Sequence, residues 1–147
     1  MPMTHAPAAR VPSAVVVDTS AWVSRLLTQD SNHPAAVTWI NQHLLSGGFL
    51  ISPILLVTET AAAVSRVTGV SARGHIAASR LYTTPEMILV QIDQALVDEA
   101  TDLAAGLRLR GADSYYVAVA RRLGLALVTF DSEQLSRAAP VIATIRP

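Results

Sequence analysis

The chain has 147 residues, no cysteine and a formal net charge of zero at pH 7. That length suffices for one domain with a full core, and the missing thiols exclude disulfides, thiolate nucleophiles, zinc–thiolate sites and iron–sulfur clusters. The eleven basic residues are all arginine, which removes mechanisms that need a lysine amine, and zero net charge excludes a polycationic nucleic-acid binder, so any RNA or DNA contact must be local.

The first thirteen residues, MPMTHAPAARVPS, hold three prolines and no apolar run, and read as a flexible extension rather than a signal peptide. One domain is expected over 14–147. The run AVVV at 14–17 has the continuous β-branched pattern of a strand buried on both faces. Asp18-Thr19-Ser20 ends it and starts a helix carrying Val23, Leu26 and Leu27. His33-Pro34 opens a second helix, with Val37, Ile40 and Leu44 as its apolar stripe and Gly47-Gly48 as its stop.

Phe49 to Ile51 reads as the second strand, followed by Ser52 as N-cap and Pro53 as first residue of a helix running to about Gly69. Ser71 starts another helix, ending near Thr83-Thr84-Pro85. A third strand is expected from Met87 to Ile92, and Asp93 caps a helix with Leu96, Ala100, Leu103 and Leu107 at helical spacing. Arg108 and Arg110 sit late in this segment, as a helix dipole prefers. A helix from about Asp113 to Leu123 stops at Gly124. The strand LALVTF at 125–130, a short helix from Asp131 and a last strand around Val141 to Thr144 complete the chain.

Strands alternating with helices predict an α/β fold, with a central, mostly parallel sheet of about four to five strands covered by helices on both faces. Ligands in such folds bind outside the carboxyl ends of the strands. At 51% hydrophobic residues the chain is rich in apolar side chains, yet charge, glycine or proline interrupts each apolar segment before spanning length, so no membrane helix is expected and a cytoplasmic location is. The surplus fits a buried sheet plus an oligomer or partner interface.

Four acids stand in apolar surroundings: Asp18, Glu59, Asp113 and Asp131. Glu59 is the most informative, because its helical neighbours three and four residues away are Leu55, Leu56, Ala62 and Ala63, which put it on a stripe that should face the core. A buried carboxylate demands a partner. Lying six residues after Pro53, it sits about 9 Å into its helix, within reach of the strand-end edge because helical side chains lean toward the N-terminus. Asp18 and Asp131 follow strands and Asp113 opens a helix, so each alone is explained as well by an N-cap. Together, on one edge, they remain ionised only around a strong cation. Without cysteine the oxygen ligands suit Mg²⁺, with Mn²⁺ as a substitute, and phosphodiester hydrolysis is the natural reaction. The hydroxyls of Thr19, Ser20, Ser114, Thr129 and Ser132 flank these acids as further supports or as helix caps.

The segments VVVDTSAWV, LLVTETAAAV, GADSYYVAVA and LALVTFDSEQL, in that order and with 41, 54 and 18 residues between successive acids, resemble the PIN-domain ribonucleases, specifically the toxin subunits of the type II VapBC toxin–antitoxin class. The resemblance spans nearly the whole chain from residue 14. It places the family's metal-binding, catalytic acids on Asp18, Glu59, Asp113 and Asp131, with the role of Glu133 open. It implies Mg²⁺-dependent endonucleolytic cleavage of RNA, a homodimer, and a cognate antitoxin that inserts a peptide into the site.

Other candidates carry less. His5, His33, His43 and His75 have no metal-ligand spacing to one another. Arg66, Arg73 and Arg80 recur every seven residues and serve equally as a phosphate track or a solvated face. Trp22 and Trp39 read as core or dimer contacts. Two alternatives differ in kind: a haloacid-dehalogenase-like phosphatase, which wants an acid where Ser20 stands, and a non-catalytic module of the same fold that binds RNA or protein.

Overall fold

The computed structural model describes residues 13–147. The expected N-terminal extension lies outside the described residues except for Ser13, whose carbonyl accepts a hydrogen bond from the Phe49 amide at 2.9 Å. In chain order the elements are β1 (Ala14–Val17), α1 (Thr19–Leu26), α2 (His33–Leu45), β2 (Phe49–Pro53), α3 (Leu55–Thr68), α4 (Ser71–Leu81), β3 (Met87–Val90), α5 (Gln94–Leu107), α6 (Gly111–Leu123), β4 (Leu127–Val128), α7 (Ser132–Ala138) and β5 (Thr144–Ile145).

All five strands are parallel, in the order β3-β2-β1-β4-β5. The chain adds strands on one side of β1, then crosses back and adds β4 and β5 on the other. Right-handed crossovers in opposite directions put their helices on opposite faces. The packing follows that rule. Val15 and Val17 point into a core with Trp22, Ile40, Leu50, Leu56 and Leu81, whereas Val16 points into the opposite core with Leu96, Leu103, Tyr116 and Val119. Burial of β1 from both sides explains why three valines follow Ala14 without a polar residue.

Three expected boundaries are corrected. Ser52 and Pro53 do not begin a helix: both belong to β2, Pro53 pairs with Val90, and the buried Ser52 hydroxyl donates to the Val17 carbonyl at 2.6 Å. Helix α3 starts two residues later behind Ile54, which makes no side-chain cap. Arg110 does not close α5. That helix ends at Leu107, Arg108 takes the left-handed conformation at φ 56°, and Arg110 occupies the N-cap position of α6. The last strand is Thr144–Ile145 rather than 141–144, because the Val141 and Ile142 amides bond back to Ala138 and close the turn after α7.

Helices α3 and α4 form a closely packed pair. Gly74 permits the approach, since a Cβ there would lie 2.5 Å from the Ala61 carbonyl oxygen and 3.2 Å from the Ser65 Cβ. Among the described residues no helix is long and apolar enough to cross a membrane. The α3–α4 contact generates a test: Gly74→Ala should destabilise the fold by about 1–3 kcal/mol through overpacking. Thermal or urea denaturation that leaves stability unchanged would show that the two helices separate without cost.

Candidate active site

The sheet reverses its strand order between β1 and β4, and the crevice at such a reversal is the place where α/β folds bind ligands. Asp18 follows β1 and Asp131 follows the end of β4, so both stand at the carboxyl edge of this crevice. Asp113 lies in the first turn of α6, where free amides and the helix dipole favour an anion. Glu59 is the fifth residue of α3, one turn in.

Of the four acids only Asp18 is fully buried, at 4% exposure. Its carboxylate accepts hydrogen bonds from the Ser20 amide, which caps α1, and from the Thr129 hydroxyl. Burial pushes the Asp18 carboxyl up to about 6 against the opposing pull of these donors, and the negative charge of Asp113 adds to the rise. The Thr129 hydroxyl in turn accepts from the Asp131 amide at 3.0 Å. Ser20 ties the two strand ends together, its hydroxyl accepting from the Phe130 amide at 2.9 Å and lying 3.2 Å from the Thr129 hydroxyl.

Glu59 is half-buried rather than buried as its place on an apolar stripe predicts, and its partners are hydroxyls. Oε1 accepts from Tyr116 at 2.6 Å and from Thr19 at 3.1 Å, and these two hydroxyls lie 2.8 Å apart. Burial and the adjacent Glu59 charge push the Tyr116 phenol far up, so it stays a protonated donor. Asp131 caps α7 through the Gln134 amide at 3.0 Å. Its other oxygen, Oδ2, meets the Arg110 guanidinium at 2.5 Å, and the same guanidinium reaches Asp113 Oδ2 at 2.8 Å. Asp113 raises the Arg110 guanidinium by hydrogen bond and charge.

The acids thus form one chain of contacts, Glu59 through Thr19 to the start of α1, Asp18 through Thr129 to Asp131, and Asp131 through Arg110 to Asp113. Among the described residues no three acidic or histidine side chains converge on a common point suited to a metal ion. Ser114 spends its hydroxyl on the Gly111 carbonyl at 2.6 Å, within its own helix. His33 bonds the Ser24 carbonyl at 2.8 Å and His43 the Phe49 carbonyl at 2.9 Å, so both are structural. A cleft of about 470 Å³ between α1 and the α3–α4 pair is lined by Trp22, Leu26, Val64, Arg73, Ile76 and Arg80, but by none of the four acids.

Sequence reasoning missed Tyr116 and Arg110 as parts of this site. The signal was available: they stand three residues after and three before Asp113, the spacing that shares a helical face or meets at a helix start.

A model of the PIN domain family matches residues 15–140, well over half the chain. This chain is a PIN domain. That membership sets aside the haloacid-dehalogenase alternative. Among solved structures, the chain resembles Mycobacterium tuberculosis VapC20, described as a sarcin–ricin-loop-cleaving toxin, at 20% identity with a TM-score of 0.71, covering 90% of this chain and 99% of that one. It resembles Neisseria gonorrhoeae FitAcB at 19% identity and a TM-score of 0.63, covering 89% and 96% of the two chains. Pyrobaculum aerophilum PAE2754 is similar at 20% identity and a TM-score of 0.62, with 92% and 89% covered. Among curated proteins no sequence relative matches.

The buried Asp18 carboxylate generates a prediction. Its folded-state value of about 6 lies above the ordinary 3.8, so in metal-free protein its contribution to stability is greatest below pH 4 and is lost as pH rises through 6. Asp18→Asn should therefore raise metal-free stability at pH 8 by about 1–3 kcal/mol, with the gain shrinking between pH 6 and pH 4. Urea melts across this range read it directly, and a gain that does not vary with pH would contradict the assignment.

Proposed function

We propose that this PIN domain is a metal-dependent endoribonuclease, with Asp18, Glu59, Asp113 and Asp131 as its catalytic acids, and that it acts as the toxin of a toxin–antitoxin pair. The observation that carries the reading is the chain of hydrogen bonds and ion pairs that runs past all four carboxylates along the β1–β4 crevice, with the Arg110 guanidinium already paired to two of them.

The donor set fits a hard divalent ion. All four side chains offer carboxylate oxygens, and the Asp113–Asp131 end already draws a cation to both Oδ2 atoms, in the form of the Arg110 guanidinium. Asp18, Glu59 and Asp113 would hold Mg²⁺ or Mn²⁺, with Asp131 completing the site. When bound, the metal supplies a lowered water pKa and neutralises charge on the leaving oxygen of the phosphodiester.

The chain's own residues do the rest. Thr19 and Tyr116 aim the Glu59 carboxylate by two hydroxyl donors, and because Tyr116 keeps its proton it orients without competing for charge. The Ser20 amide and Thr129 hydroxyl fix Asp18 and exclude water from its inner side. Asp131, 22% exposed and anchored at the start of α7, orients the attacking water. Local RNA contact suits a neutral chain, and exposed Arg73 and Arg80 beside the cleft offer phosphate partners.

The likeness to the toxin VapC20 and the four sequence segments support a cognate antitoxin partner. Exposed Val67, Val70 and Ile76 at the α3–α4 turn give apolar surface for that partner or for a homodimer. A cytoplasmic location accords with this role.

Purified protein incubated with single-stranded RNA and Mg²⁺ or Mn²⁺ should cleave internally, and Asp113→Asn should lose more than about 100-fold in rate while keeping its fold by circular dichroism. Equal cleavage by the two proteins would overturn the reading in favour of a non-catalytic module.

A further inference from the structure

Arg110 is placed where a helix least favours a cation. It holds the N-cap position of α6 without making a side-chain cap, beside amides that already carry partial positive charge. What offsets that cost is a pair of carboxylates, with Nε on Asp113 Oδ2 at 2.8 Å and a terminal nitrogen on Asp131 Oδ2 at 2.5 Å. The two acids come from different elements, α6 and the start of α7, and are only 17% and 22% exposed, whereas the arginine side chain is 67% exposed. The carboxylates are thus the more buried partners, and the cation reaches them from the solvent side. The charge of Glu133 also favours the guanidinium here.

We propose that Arg110 is a built-in counter-cation that occupies the Asp113–Asp131 end of the site and must be displaced when a divalent metal binds, so that this side chain sets the metal concentration at which the site fills. The inference rests on the reading that these acids hold a metal. A guanidinium and a divalent ion compete for the same two Oδ2 atoms, because each brings its positive charge to both oxygens and the two cations repel one another at that range. Charge repulsion then drives the freed arginine away from the ion. Ion pairs of this exposure contribute little net stability, which suits a contact that exchanges rather than one that staples the fold. The planar fork also matters: it spans two carboxylates at once, which a lysine ammonium on the same stem does less well.

The test measures Mn²⁺ affinity by isothermal titration calorimetry, together with the metal-free melting temperature, for wild type, Arg110→Gln, Arg110→Lys and Arg122→Gln. Arg122 pairs with Glu99 across α5 and α6, so its variant matches the change in net charge without touching the site. Arg110→Gln should bind Mn²⁺ roughly three- to tenfold more tightly, with little change in the metal-free melting temperature, since ion pairs this exposed contribute little to stability. Arg110→Lys should fall between it and wild type, and Arg122→Gln should match wild type. Unchanged or weaker binding by Arg110→Gln overturns the inference while leaving the metal site standing. If Arg110→Gln does not fold, the Arg110→Lys value decides in the same sense. Absence of Mn²⁺ binding by every protein overturns the metal reading itself.

Discussion

A carboxylate at the carboxyl edge of a sheet needs a donor or a counter-charge, and the side chains around the β1–β4 crevice are placed to supply one to each acid. Each carboxylate is answered separately. Asp18, buried to 4% exposure, has an amide and a hydroxyl; Glu59 has two hydroxyls; Asp113 and Asp131 share one guanidinium. None of these answers is complete. Burial still outweighs the donors around Asp18, whose carboxyl stays raised to about 6, and the cation on the other pair sits mostly in solvent.

The fold supplies the crevice before any of these side chains act. Because strands are added first on one side of β1 and then on the other, the two crossovers leave opposite faces and open a gap at the carboxyl ends of β1 and β4. Three short polar side chains close the floor of that gap. Ser20 joins the start of α1 to Phe130, Thr129 joins Asp18 to the Asp131 amide, and Ser52 ties β2 to the Val17 carbonyl. Their hydroxyls satisfy backbone groups that the end of a buried strand would leave unpaired. The same residues therefore hold the sheet together and aim the acids.

The order and type of the elements were legible, because buried valine runs and helical stripes report burial directly, whereas the strand expected at 125–130 shrank to Leu127–Val128 and that at 87–92 to Met87–Val90. The errors fell where local rules compete. Ser52-Pro53 has the chemistry of a helix start, yet pairing with β3 captured both residues, since Pro53 stands at the strand's last position, where a missing amide costs least. Arg110 looked like a cation closing α5, but the left-handed Arg108 ended that helix and turned the next residues toward Asp113. Glu59 read as a buried acid in need of a partner; it is half-buried instead, and its partner was not legible, because Tyr116 lies 57 residues away along the chain.

Residue pattern alone carries the alternation of strand and helix and membership of the PIN domain family over residues 15–140. These follow from periodicity and residue type, which act over a few neighbours. What only the tertiary structure decided was the counter-charge each acid meets. Thr129 lies 111 residues from Asp18 and Asp131 lies 21 from Arg110, separations at which local pattern carries no information and packing alone selects the partner. Burial then sets the direction of the Asp18 shift, its partners opposing it, while Arg110 meets its two acids from the solvent side.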